Sequence, residues 1–134
     1  MKQTFADTFF FLALLNPRDQ AHRQAHEIGH VLEGRLVTSE YVLIEVGDAM
    51  SRPLDRSRFL SLVDTLATDP EAEVVAADTR LLSEGIDLYR NRPDKDWPLT
   101  DCLSFVIMAR RGITDALTGD EHFRQAGFNP LFGS

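Results

Sequence analysis

Short strand-like runs and longer helical stripes alternate along this chain. Residues 2–7 read as a strand that stops at Asp7, and the unbroken apolar run Phe9-Phe10-Phe11-Leu12-Ala13-Leu14-Leu15 reads as a helix. Asn16-Pro17-Arg18-Asp19 is a turn, with Asp19 as the expected N-cap of a helix over 20–32 that Gly34 ends. A short strand over 36–38 follows, and Thr38-Ser39-Glu40 signals a helix start. That helix covers 41–50, with Leu43, Val46 and Met50 as its apolar positions. Pro53 suits the first turn of the next helix, whose stripe is Phe59, Leu62, Val63 and Leu66. A third strand over 73–76 leads to Asp78, the expected cap of a helix through Leu81, Leu82, Ile86 and Tyr89. After a loop over 91–98, Thr100 is expected to cap a helix over 101–111 that Gly112 closes. A fourth strand over 113–117, a short helix over 121–126 and a last strand over 128–132 complete the pattern.

Strands that alternate with helices predict parallel βαβ units, hence an α/β fold with helices on both faces of a sheet. There is no internal repeat, low-complexity tract or linker, so residues 1–134 are expected to form one domain. No apolar run reaches membrane-spanning length and no leader pattern opens the chain, which predicts a cytoplasmic protein without a membrane. Cys102 is the single cysteine, so no internal disulfide can form.

A net charge of −7 argues against a protein that coats nucleic acid by bulk electrostatics. It leaves room for nucleic-acid chemistry, because carboxylates gathered to hold metal add to such a balance. Of the 14 basic residues only Lys2 and Lys95 are lysine, and arginine's planar fork suits phosphate. Arginine-rich composition explains the same bias equally well.

Groups just past the carboxyl ends of strands line the ligand crevice of an open α/β sheet. Asp7 ends the first strand, and Asp120 lies just past the fourth. Asp101 opens the helix before that fourth strand, and Glu45 projects from the helix after the second. If the first and fourth strands are neighbours, these four acids can converge. Converging carboxylates repel, and a hard cation such as Mg²⁺ or Mn²⁺ offsets the repulsion. The plainer reading stands beside this one: Asp101 as a first-turn acid, Asp120 as a turn residue, Glu45 and Asp48 as a solvated face.

Four stretches carry a resemblance. They are Phe5-Ala6-Asp7-Thr8 with its apolar tail, and Thr38-Ser39-Glu40-Tyr41-Val42-Leu43-Ile44-Glu45-Val46. Further on come Asp94-Lys95-Asp96-Trp97-Pro98-Leu99-Thr100-Asp101-Cys102-Leu103-Ser104 and Ala116-Leu117-Thr118-Gly119-Asp120-Glu121-His122-Phe123. In this order and spacing the chain resembles, along essentially its whole length, the PIN-domain family of metal-dependent ribonucleases. It is closest in kind to the toxins of VapBC-type toxin–antitoxin pairs. The resemblance implies a three-layer α/β/α fold around a central, mostly parallel five-stranded sheet. It implies that Asp7, Glu45, Asp101 and Asp120 form an acidic quartet that is both catalytic and metal-binding, for Mg²⁺ or Mn²⁺. Thr8 and Thr118 would flank that site, with Asp96 as an accessory acid. Implied partners are an RNA substrate, a small antitoxin protein and a second copy of the chain in a homodimer. Phe9 departs from the family pattern, which often has a small polar residue there.

Other residues weigh less. His22, His26 and His30 have helical metal-ligand spacing, but such a face without a carboxylate partner is more often solvated. His122 reads first as an exposed helix histidine and second as a contact to substrate phosphate. Cys102 reads as packed, not nucleophilic. Phe9, Phe10 and Phe11 cannot all face one core. Arg52, Arg56, Arg110 and Arg111 are candidates for steering an RNA backbone.

Rival functions fare less well. A receiver-like signalling domain wants an acidic pair at the first strand and a lysine near the last; Ala6 precedes Asp7, and no lysine is near 128–132. A haloacid-dehalogenase-like phosphatase wants an aspartate two residues after Asp7, where Phe9 stands. The remaining alternative is a non-catalytic interaction domain with a degenerate acidic site.

Overall fold

The two sheet-edge strands lie far from the strand that opens the chain, because the opening strand is central. In a computed structural model, which describes residues 1–133, β1 (Gln3–Ala6) pairs with β2 (Arg35–Ser39) on one side and β4 (Asp115–Leu117) on the other. With β3 (Ala72–Val75) beyond β2 and β5 (Asn129–Pro130) beyond β4, the order is β3-β2-β1-β4-β5 and every pairing is parallel. The condition for convergence, β1 beside β4, is therefore met.

Parallel strands need crossover helices, which cover both sheet faces. The helices are α1 (Thr8–Leu15), α2 (His22–Val31), α3 (Glu40–Ala49), α4 (Arg56–Thr68), α5 (Thr79–Asn91), α6 (Leu99–Arg111) and α7 (Glu121–Gln125). The core between the layers includes Phe5, Phe10, Phe11, Val37, Val42, Val46, Leu81, Met108, Leu117 and Phe123. Trp97, Phe123 and Phe128 surround Phe105 with ring centroids 5.1, 4.9 and 5.5 Å away, which seats α7 and β5 against α6.

Local sequence explains most boundaries. Ser39 caps α3 by accepting from the Val42 N–H at 3.1 Å, and Asp78 caps α5 through the Leu81 N–H at 2.7 Å. Gly112, at φ +65°, ends α6 while the Ile113 N–H reaches back to the Met108 carbonyl at 2.9 Å. Three expectations shift. Asp19 bonds the Ala21 N–H inside a turn, so α2 starts at His22 rather than at residue 20. Pro53 lies in the turn before α4, whose first helical residue is Arg56. Thr100 is inside the first turn of α6, because the Pro98 carbonyl already accepts from the Cys102 N–H at 3.1 Å. Pro98, at φ −61° and ψ 155°, is the true N-cap, and it carries no capping side chain.

The triple-phenylalanine run divides as a two-sided helix requires. Phe10 and Phe11 are buried, whereas Phe9 is 36% exposed and sits edge-on to Phe132 at 5.2 Å. No helix among the described residues is long and apolar enough to cross a membrane.

Candidate metal centre

The strand order brings the ends of β1 and β4 side by side, and α6 delivers its first turn to the same place. Asp7 closes β1 and is the N-cap residue of α1, yet its side chain makes no capping bond. One of its oxygens, Oδ2, accepts from Thr118 Oγ1 at 3.0 Å. The other, Oδ1, is buried with no hydrogen-bond partner, as is the neighbouring Thr8 Oγ1. Thr118 is fully buried, and its Oγ1 also accepts from the Asp120 N–H at 3.0 Å, which fixes the chain leaving β4.

Asp101 is 5% exposed in the first turn of α6. Its Oδ2 lies 2.9 Å from His122 Nδ1, which also lies 3.2 Å from Asp120 Oδ1. Asp120 Oδ1 caps α7 by accepting from the His122 N–H at 2.9 Å. Among the described residues, Asp101, Asp120 and His122 form the group whose ligand atoms all lie within 4.8 Å of one another.

Electrostatics ties the remaining acids to this group. Burial, reinforced by the Asp101 charge and more weakly by Asp120, pushes the Asp7 carboxyl up to about 7; the Thr8 N–H and the Thr118 hydroxyl resist. Burial likewise lifts Asp101 to about 6, opposed by the His122 hydrogen bond and aided by the charges of Asp120 and Glu45. Glu45, half-buried on α3, is thus near enough for its charge to act on Asp101. Burial lowers the His122 imidazole, but the Asp101 bond and the Asp120, Asp101 and Asp96 charges carry it above its ordinary value. Asp96 itself is exposed in the loop before α6.

These observations meet what a hard divalent cation asks of a protein. The donors are carboxylate oxygens, they repel one another when ionised, and a buried Asp7 oxygen stands without a partner. A cation held by Asp7, Asp101 and Asp120, with Glu45 close by, would answer each of these.

Some expectations are revised and others hold. His122 is no free-standing exposed histidine; it is half-buried and touches two of the acids. Sequence spacing gave only a weak signal for it, because its ring turns back over the N-cap that its own backbone satisfies. His22 instead bonds the Ala13 carbonyl through Nδ1 at 2.8 Å and packs on the His26 ring, while His26 and His30 are exposed. Cys102 is buried, and burial pushes its thiol up, away from nucleophilic character. Arg110 and Arg111 close α6, about 15 Å along its axis from Asp101, and are bound to Glu84 and to Glu73. Arg52 pairs with Asp55 at 3.2 Å, and Arg56 Nε donates to the Ser51 carbonyl. Phe9 lies over Gly119, where an added Cβ would come within 2.8 Å of its ring.

A family model described as the PIN domain matches residues 4–129. The chain belongs to the PIN-domain family. The 23S rRNA-specific endonuclease VapC20 of Mycobacterium tuberculosis is 29% identical to this PIN domain over 125 residues, covering 92% of this chain and 94% of that protein. A crystal structure of M. tuberculosis VapC20, described as a sarcin–ricin loop cleaving toxin, superimposes with a TM-score of 0.87 at 23% identity over 96% of this chain and 98% of that one. VapBC2 from Rickettsia felis, bound to a DNA fragment from its promoter, gives a TM-score of 0.66 at 13% identity, covering 97% of each chain. The likeness to these structures is one of fold, and this PIN domain is a homologue of the VapC20 toxin.

Proposed function

We propose that the chain acts, as a single PIN domain, as a Mg²⁺- or Mn²⁺-dependent endoribonuclease and as the toxin of a VapBC-type pair. The observation that carries this is Asp7: a buried carboxyl raised to about 7 by desolvation and by Asp101 and Asp120, with one oxygen unpartnered. The Thr8 N–H and the Thr118 hydroxyl offset that arrangement only in part, and a bound cation would offset the rest.

In this reading Asp7, Glu45, Asp101 and Asp120 hold the metal, which supplies charge neutralisation at the scissile phosphate and a nucleophilic water at neutral pH. Thr118 fixes the Asp7 carboxylate and the backbone that carries Asp120 through its two bonds. Glu45, half-buried on α3 and near enough for its charge to act on Asp101, would be placed to accept a proton from the attacking water.

The homology to VapC20 makes an exposed loop of 23S rRNA the substrate class to try first. The R. felis neighbour supports a small antitoxin as partner. A homodimer and a cytoplasmic setting belong to the same proposal. The test is cleavage of a sarcin–ricin stem-loop RNA by the purified chain with Mg²⁺ or Mn²⁺ and with excess EDTA. Metal-restored cleavage is expected; cleavage that persists in EDTA would refute the metal-dependent reading.

A further inference from the structure

His122 is the one nitrogen donor among the acids, and its position is built. It sits on α7, whose next residue, Phe123, is fully buried against Phe105. Its backbone N–H holds Asp120 Oδ1 at 2.9 Å, so ring and carboxylate are tied to one short turn. From there Nδ1 lies 2.9 Å from Asp101 Oδ2 and 3.2 Å from Asp120 Oδ1.

Those separations have a second meaning. A cation with octahedral bonds of about 2.1 Å places adjacent donors about 3.0 Å apart, since the edge is √2 times the bond. Both distances from Nδ1 match that edge, and all three atoms lie within 4.8 Å of each other. A cation entering between them would find Nδ1 one such edge from each of the two oxygens, with the unpartnered Oδ1 of Asp7 belonging to the same carboxylate cluster.

We infer that His122 ligates the bound cation through Nδ1, completing with Asp101 and Asp120 a donor set of two oxygens and one nitrogen. The inference rests on the metal-dependent reading above and adds a donor that an all-carboxylate quartet lacks. Its consequence is selectivity. Mg²⁺ takes oxygen ligands and dehydrates reluctantly, whereas imidazole suits first-row transition metals, so this donor turns the site from Mg²⁺ towards Mn²⁺.

The experiment uses the full chain loaded with Mn²⁺ alone, followed by electron spin-echo envelope modulation, which detects a ¹⁴N nucleus bonded to the ion. The wild type is expected to show imidazole ¹⁴N modulation, and His122→Gln and His122→Leu to lose it. The ratio of Mn²⁺ to Mg²⁺ affinity, from calorimetry, is expected to fall roughly tenfold in both variants. His22→Gln serves as the control for adventitious binding on α2 and is expected to retain the signal. Mn²⁺ that binds the wild type without ¹⁴N modulation, or modulation that survives both His122 substitutions, overturns the inference and leaves the carboxylate site standing. Absence of Mn²⁺ binding to the wild type overturns the inference, and absence of both Mn²⁺ and Mg²⁺ binding removes the metal reading with it.

Discussion

Replacing Asp7 by asparagine separates the cost of this site from its use. An acid whose folded value is raised contributes nothing to stability at a pH below its unfolded value, where both states hold the proton. As pH climbs past 3.8, the unfolded chain ionises while native Asp7 stays protonated up to about 7. Folding stability then falls by about 1.4 kcal/mol per pH unit, until native Asp7 ionises too. The full loss, from 3.8 to about 7, is on the order of 4 kcal/mol and is present at pH 8. Asp7→Asn removes it. The asparagine oxygen can still accept from Thr118 Oγ1, and its amide can donate towards the Asp101 and Asp120 carboxylates. In EDTA the variant is therefore expected to match the wild type near pH 4 and to exceed it by about 2–4 kcal/mol at pH 8, while cleaving no RNA. Urea denaturation at pH 4.5, 6 and 8 measures the difference. Adding Mn²⁺ should stabilise the wild type by mass action and the variant far less. A variant less stable than the wild type at pH 8, or one with an unchanged Mn²⁺ response, would refute the reasoning.

Three other outcomes follow from the geometry. Direct attack of water on phosphorus leaves 5′-phosphate and 3′-hydroxyl ends, so mass spectrometry of the cleaved RNA should show no 2′,3′-cyclic phosphate. Gly34→Ala should lower stability by about 2 kcal/mol or more in chemical denaturation, because φ is +86° and the new Cβ would meet the Lys2 carbonyl oxygen at 2.2 Å; an unchanged midpoint would contradict the strain. Arg111→Ala should leave RNA cleavage within twofold of wild type and cost below about 1 kcal/mol, since Glu73 already occupies this partly exposed guanidinium at the opposite end of α6. A tenfold loss of cleavage would return Arg111 to the substrate path.

The acids at strand ends were legible because two local signals coincide there, a change of period and a carboxylate. Asp7, between a strand run and an unbroken apolar run, shows both. Topology was not legible in the same way: that β1 lies between β2 and β4 depends on long-range packing, and the sequence posed it only as the condition for the acids to converge. Helix starts followed side-chain caps where one exists, as at Ser39 and Asp78, and were misplaced at Thr100, where a proline carbonyl opens the helix without one. His122 escaped because its role comes from a ring folding back over its own helix cap towards an acid 21 residues earlier. Arg110 and Arg111 misled for the opposite reason, since composition flags a cation without revealing that a carboxylate already holds it.

The central place of the opening strand also governs when the site comes into being. Asp7 is made long before the hydroxyl that orients it, which belongs to Thr118, 111 positions later. β1 gains its second neighbour only when β4 exists, so the middle of the sheet closes after β2 and β3 have been made. Contacts of such long sequence separation form slowly, after the entropy of a large loop has been overcome. A partly synthesised chain therefore carries Asp7 and Glu45 without Asp101, Thr118, Asp120 or His122. The carboxylate cluster therefore comes together only after α6, β4 and α7 have followed β1 out of the ribosome.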